Sequence, residues 1–367
     1  MNKPLTPPVP VLFILDSLSI GGNETSALGL AKNLDKNLFN PKVLVLSGKS
    51  SLMREDFLYN NIELIYTHSK STNSLLFFLE FFAILKKYKI RVVMMYPFTY
   101  QVILLQFVSF IAGVRHRVLR ISGSPDNKKL MKKLFFVQLA ARFLITREVV
   151  VSNAVRNWIL EIGGFPVDRI SVICNGIKPI IQNNNLELKQ INNSQIIMTS
   201  RMDEAKDQFT LISAMAKVQK KIPKATLILV GDGPLRRELE LHSKNKGCKT
   251  SFLGFRKDVN ELLEKSSIFV FSTKTEGFPN ALLEAMAIGL PVIASDIPPC
   301  SEILNRGVHG LLFKVGDVDK LASTIIDLIQ DDGKRTDWAV KARKRSKDYS
   351  MIHMVKEYQK IFSGILE

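Results

Sequence analysis

The sequence is poor in the residues that build metal and redox centres: of 367 residues, three are cysteine and five histidine. Cys174, Cys248 and Cys300 are odd in number and far apart, so neither a CxxC pair nor a disulfide framework can be written from them. Free thiols fit a reducing cytoplasm. His68, His116, His242, His309 and His353 form no HxxxH or mixed Cys/His spacing, and no metal site is expected. Acidic residues are also scarce, 34 against 51 Lys and Arg, a formal net charge of +17. The surplus is uneven: residues 1–180 carry 23 basic and 11 acidic side chains, the remainder 28 and 23. Anionic partners are therefore expected mainly at the first half. With 20 Gly, 15 Pro and 46% hydrophobic residues, the disordered, collagenous and disulfide-scaffold classes are excluded.

Long hydrophobic runs are missing as well. The start, MNKPLTPPVPVLFIL, has one lysine, a short apolar run broken by prolines and no small-residue cleavage site, so no signal peptide is expected. Val92 to Val114 holds no charged residue, but Tyr96, Pro97, Thr99, Tyr100 and Gln101 divide it. What remains is a strand-like VVMMY and a helical piece of about a dozen residues, too short to span a bilayer.

What is present is an alternation of short β-rich apolar runs with segments of helical period. The runs are Val9–Leu15, Lys42–Leu46, Glu63–Tyr66, Arg91–Tyr96, Val118–Ile121, Val149–Val151 and Val172–Cys174 in the first half. Ile196–Ser200, Thr226–Val230, Ser251–Leu253, Ile268–Ser272, Val292–Ala294 and Gly310–Phe313 follow in the second. Strands apolar on both faces belong to parallel sheets covered by crossover helices, which predicts an α/β class with doubly wound layers. At roughly 100 to 200 residues per domain the length allows two or three. Gln182 to Gln195 is polar, Asn-rich and aperiodic, hence a linker between a domain over 1–181 and a second over 196–348.

Several motifs fail their own tests. Gly231 and Gly233 follow a strand, but Arg236 stands where a dinucleotide fingerprint needs its third Gly. Gly48-Lys49-Ser50 resembles the end of a P-loop, yet Val43 replaces the first Gly. Asp317 and Asp319 precede the helix DKLASTIIDLI, where N-capping explains them better than metal binding. Two segments survive. SRMDEAKD places Arg201 and Lys206 on the loop after a strand, and a guanidinium fork with a mobile ammonium suits a diphosphate. EGFPNALLE places Glu276 and Gly277 before a helix start at Pro279, with the helix ending near Gly289. Glu284 lies a turn into that helix, where a carboxylate is suited to hold a ribose diol.

These elements occur in order with GGNE (Gly21–Glu24), VSNAV (Val151–Val155), VICNGI (Val172–Ile177), LVGDGPL, FLGFRKDV and HGLLF. Together they resemble the retaining glycosyltransferases of the GT-B fold, group 1, also called family 4. The resemblance implies two Rossmann-like domains facing across a cleft, with the last helix, 349–367, crossing back to the first. It implies that Arg201 and Lys206 bind the donor diphosphate and Glu284 the ribose. Glu276, with Gly277, Phe278, Pro279, Asn280 and Leu283, is expected to hold the sugar and phosphate of a UDP- or GDP-linked donor. Gly254, Phe255 and Arg256 are expected to line the base, and Gly21 and Gly22 the opposite wall. No metal or other cofactor is implied, since cationic side chains and helix amides stabilise the departing diphosphate. One departure is visible: RISGSPDN (Arg120–Asn127) carries Gly123 and Pro125 where relatives have a His, leaving Arg120, Ser122 and Asp126 as weak candidates. His116 precedes the strand and is expected at the surface.

Two other classes remain as alternatives: a nucleotide-sugar epimerase of the same fold, and a non-enzymatic polyanion binder. No nucleic-acid motif is present, so nucleic acid is not an expected partner. The expected acceptor is a glycan or lipid-linked glycan precursor of cell-surface polysaccharide, such as lipopolysaccharide. Asn127–Arg147 reads as a basic amphipathic helix with Lys128, Lys129, Lys132 and Lys133, and Ser74–Arg91 adds four Phe and a second basic end. The expectation is a cytoplasmic enzyme peripheral to the inner face of the membrane.

Overall fold

Every apolar run singled out above overlaps a strand, Val172–Cys174 only at Val172, and the strands assemble into two parallel sheets. The computed structural model describes residues 8–19, 21–47, 52–69, 71–72, 74–96, 101–123, 128–177 and 194–364, without the side chains of 128–133. The chain divides into two compact units, Met1–Gly176 with Met351–Glu367, and Ile177–Ser350. Most of the expected linker, 182–193, lies outside the described residues, and Gln195 already begins a strand.

In the first unit the strands are β1 (Val9–Leu15), β2 (Phe39–Val45), β3 (Glu63–Tyr66), β4 (Val92–Met95), β5 (His116–Ile121), β6 (Arg147–Val150) and β7 (Ile170–Val172). Their order is β3-β2-β1-β4-β5-β6-β7. Strand β2 starts three residues earlier than expected, because it pairs with β1 from Val9↔Phe39 onward. Pro41 is tolerated there because pairing with β3 begins only at Lys42. The helices are α1 (Gly22–Asn33), α2 (Arg54–Tyr59), α3 (Leu75–Lys87), α4 (Gln101–Ile111), α5 (Lys128–Leu144) and α6 (Asn153–Ile162). Right-handed crossovers send α1 and α2 to one face of the sheet, and α3, α4 and α5 side by side to the other.

The second unit holds β8 (Gln195–Thr199), β9 (Thr226–Val230), β10 (Thr250–Phe252), β11 (Ile268–Phe271), β12 (Val292–Ser295) and β13 (Leu311–Phe313), ordered β10-β9-β8-β11-β12-β13. Its helices are α7 (Gln208–Lys221), α8 (Arg236–Lys246), α9 (Val259–Glu264), α10 (Asn280–Ile288), α11 (Pro298–Ile303), α12 (Val318–Gln330) and α13 (Asp332–Ser346). Asp317 caps α12, accepting from the Lys320 amide at 2.9 Å. Helix α13 ends at Ser346, and the last helix, α14 (Met351–Ser363), starts two residues later than expected, after an extended Ser350. Helix α14 belongs to the first unit, where Met351, Met354, Val355, Tyr358 and Phe362 join the core beside α1.

On the other face of the first sheet, polar groups are buried among the apolar ones. Gln106 of α4, Gln138 of α5 and Glu148 of β6 are fully buried, and neither carboxylate oxygen of Glu148 makes a hydrogen bond of ordinary geometry. Burial pushes its carboxyl up to about 8, against smaller opposing effects of Gln138 and Arg169. A carboxyl raised on folding contributes stability that is whole below its unfolded pKa and is lost as pH climbs to the folded value. Stability should therefore fall between about pH 4.5 and pH 8. Glu148→Gln should flatten that slope and add on the order of 2 kcal/mol near pH 8, read by calorimetry across the range. An unchanged slope would show that Glu148 is not the titrating group.

Candidate functional site

The carboxyl ends of β8 and β11 carry the two segments richest in expected site residues, and the structure ties them together. After β8 the chain runs through Arg201 and Lys206 into α7, and after β11 through Glu276 into α10. Lys206 pairs with Thr273 in an isolated bridge. The Lys274 amide donates to Ala205 O at 2.8 Å, and the Asp207 amide to Ser272 O at 3.0 Å. Across this seam the Lys206 ammonium donates to Glu276 Oε1, with both side chains nearly buried, at 15% and 12% exposure. Thr273 Oγ1 donates to the same oxygen at 3.2 Å, and the ammonium lies 5.4 Å from the Phe271 ring centroid. Such a pair, desolvated and hydrogen-bonded, locks two loops into one arrangement.

Arg201 is the contrasting cation. Its side chain is 73% exposed, and its Nε donates to Asp203 Oδ2 at 2.6 Å. The fork's terminal nitrogens are thus left toward solvent, where a doubly charged ligand can take both. Helix α10 begins at Asn280, with Pro279 at the cap rather than at the first helical position, and ends at Gly289 in the left-handed region, φ 92°. Glu284 is half-buried on α10. Leu283 is fully buried, so its side chain packs into the core and only its backbone borders the helix start. Phe278 is buried too, against the Tyr349 ring at 5.8 Å between centroids.

The space that Gly231 and Gly233 leave by lacking a side chain is taken by the chain itself. A Cβ on Gly231 would strike Ser200 O, and one on Gly233 the backbone of Met202. The glycine turn after β9 thus closes onto the loop after β8, joined by Met202 N to Asp232 O at 2.9 Å and Leu235 N to Met202 O at 3.1 Å. Gly231 N also donates to Gly254 O at 2.8 Å, bringing in the loop after β10. There Phe255 is 62% exposed and Arg256 forks onto Asp258. Four strand-end loops, carrying Arg201, Lys206, Gly254, Phe255, Arg256 and Glu276 to Glu284, therefore form one connected rim in the second unit.

In the first unit Gly21 caps α1 in extended conformation, and Gly22 opens the helix at the end of β1. Glu24 in its first turn accepts from Ser19 Oγ at 3.3 Å, and burial, aided by Asp16, raises its pKa. Arg120, at the end of β5, is fully buried. Its guanidinium donates to Asn23 Oδ1 at 2.9 Å and to Asn175 Oδ1, and lies 5.1 Å from the Tyr96 ring centroid. Among the described residues it has no carboxylate partner. Arg120 therefore binds the GGNE and VICNGI loops to each other, a role that the sequence reading of it as an acceptor-side candidate missed. The signal available was the joint presence of Asn23 and Asn175 in two motifs. Ser122 is half-buried, and Asp126 lies outside the described residues. His116 is in β5 rather than before it; burial, with Arg117, Arg115 and Arg147, depresses its pKa to about 4, so it is a neutral ring. Among the described residues no group of three His, Cys, Asp or Glu could hold a metal ion.

Residues 182–345, within the second unit, match the family model described as Glycosyl transferases group 1. The chain is 28% identical over 172 residues to the GalNAc-alpha-(1->4)-GalNAc-alpha-(1->3)-diNAcBac-PP-undecaprenol alpha-1,4-N-acetyl-D-galactosaminyltransferase of Campylobacter jejuni, covering 46% of this chain and 48% of that protein. It is 27% identical over 234 residues to the UDP-Gal:alpha-D-GlcNAc-diphosphoundecaprenol alpha-1,3-galactosyltransferase of Escherichia coli, covering 59% and 60%. The chain thus spans about half the length of the curated relatives it matches. Among solved structures it is similar to Anabaena Alr3699/HepE in complex with UDP and glucose, at TM-score 0.82 and 22% identity, covering 97% of this chain and 100% of that one. That likeness shows the fold, two Rossmann-like α/β domains.

The seam predicts a coupling. Lys206→Met and Glu276→Gln should each destabilise by about 3 kcal/mol, since each strands a nearly buried partner. The double variant should cost less than the two losses together by at least 1 kcal/mol, roughly, in denaturant titrations. Strict additivity would mean that the pair does not hold the loops.

Proposed function

We propose that the chain is a retaining, metal-independent glycosyltransferase of family 4 that transfers a sugar from a UDP- or GDP-linked donor to a glycan or lipid-linked glycan precursor of cell-surface polysaccharide. The observation that carries this reading is the connected rim of strand-end loops in the second unit, with one cation locked at Glu276 and another open to solvent. Open α/β sheets bind nucleotides at the carboxyl ends of their strands. Here Arg201 and Lys206 take the diphosphate, the start of α10 adds its dipole, and Glu284 receives the ribose hydroxyls. Gly254, Phe255 and Arg256 border the base.

The division of labour follows from the environments of the two cations. Lys206 is pre-positioned by Glu276, so it stabilises developing charge on the leaving diphosphate without first being ordered. Arg201 is mobile and exposed, suited to capture the donor. Front-face attack with the leaving phosphate taking the acceptor proton needs no nucleophile and acid pair of the glycosidase kind. The names of the two bacterial relatives, both acting on undecaprenol-linked glycans, support a lipid-linked acceptor.

A panel of nucleotide-sugars scored by thermal shift tests the donor site: a true ligand at a hundred times its Kd should add about 2.7 kcal/mol of stability. With the donor so identified, Glu284→Ala and Lys206→Ala should each lower kcat/KM by on the order of 2 to 4 kcal/mol in transition-state terms. Turnover should survive EDTA. Near-normal turnover in both variants would remove the donor-site assignment, and donor conversion without any acceptor would make the protein an epimerase.

A further inference from the structure

The helices on one face of the first sheet are apolar on their outer side as well as their inner one: beneath them Phe77, Phe81, Val102, Leu105 and Leu134 are buried, yet large apolar side chains also face out. Helix α4 carries no charged residue, yet it turns Gln106 and Ser109 into the interior and leaves Leu104, Phe107, Phe110 and Ile111 exposed. Helix α5 likewise buries Gln138 and exposes Phe135, Phe136, Leu139 and Phe143, the last at 73%. Helix α3 adds Leu75, Leu76 and Leu79. Eleven of the 21 exposed large apolar side chains among the described residues thus stand on three neighbouring helices. A surface helix in water shows the opposite pattern, and contiguous apolar patches of this kind mark contact with an apolar partner.

The charge pattern selects the partner. The three helices carry seven basic residues, Lys86, Lys87, Lys128, Lys129, Lys132, Lys133 and Arg142, against one acidic residue, Glu80. Glu80 is engaged by the backbone amides of His68 and Ser69, at 2.8 and 3.2 Å. Three helices with seven basic residues in their sequences against one acidic residue, and with exposed Phe and Leu, fit an interface of acyl chains beneath anionic headgroups. No helix among the described residues is long and apolar enough to cross a bilayer. Helix α14 is not available as a cover, because it packs in the core beside α1.

We propose that the exposed face of α3, α4 and α5 is a membrane-docking surface that seats its Phe and Leu side chains among the acyl chains of an anionic bilayer, with the basic residues holding the headgroups. This deepens the membrane-side part of the proposed function and is independent of the donor site. Docking by insertion differs from a purely electrostatic anchor in its salt dependence: salt weakens the approach but leaves the buried apolar contacts.

Flotation of the full chain with phosphatidylcholine vesicles, with and without about a third phosphatidylglycerol, tests it. Binding should require the anionic lipid, weaken in about 0.5 M salt without vanishing, and fall about tenfold or more in Phe136→Ser/Phe143→Ser and in Leu76→Ser/Ile111→Ser. Both double variants should keep the wild-type circular dichroism and melting transition, since the side chains changed are exposed. In Phe136→Trp, the tryptophan emission at that site should shift to the blue on adding anionic vesicles. Binding abolished by salt and indifferent to the Ser variants overturns the proposal. So does self-association of the chain, measured by sedimentation without lipid, that the same variants abolish while vesicle binding persists. Vesicle binding that depends on these side chains supports the proposal whether or not UDP shifts the melting temperature, so the two readings fail separately.

Discussion

The nearly buried pair of Lys206 and Glu276 is the constraint on which the second unit's rim depends. Each partner sits on a different strand-end loop, and each is costly to bury alone. The backbone bridge between Lys206 and Thr273, and the hydrogen bonds of Asp207 and Lys274, bring the loops to the distance at which the pair can form. The glycine turn after β9 then fits against the first of these loops because Gly231 and Gly233 have no Cβ to collide with it. One ion pair and two missing methyl groups thus set the spacing of the cations that the proposed donor requires.

The first unit solves a similar problem with different chemistry. Among the described residues Arg120 is buried without a carboxylate partner, and amide oxygens from Asn23 and Asn175 and the face of Tyr96 carry the charge. Burial pushes the Tyr96 and Tyr358 phenols up, against the pull of the same guanidinium. Among the described residues this charge is thus held by amide oxygens and an aromatic face, with no ion pair. His116, by contrast, is neutralised by burial and by three neighbouring arginines, and supplies no charge there.

The buried polar groups and the exposed apolar ones of α4 and α5 are two sides of one arrangement. Placing Gln106, Gln138 and Glu148 against the sheet forfeits part of the hydrophobic stabilisation that a Leu or Phe there would contribute. A bilayer at the outer face offers the Phe side chains the transfer out of water that the interior does not.

Much of this was legible in the sequence because it is local. Apolar runs bounded by turn residues became strands, Asp317 became a helix cap, and Gly289 ended α10 as its lack of a Cβ allows. The order of motifs placed Arg201, Lys206, Glu276 and Glu284 on the elements where they stand. Other features are decided by residues far apart in the chain. Lys206 and Glu276 meet across 70 positions, and Arg120 reaches Asn23 and Asn175 across 97 and 55. Helical periodicity reports which residues share a face, and it is blind to which face meets the sheet. Only tertiary packing could turn Gln106 of α4 and Gln138 of α5 inward and Phe107, Phe110, Phe136 and Phe143 outward, because that choice depends on which distant residues each helix meets.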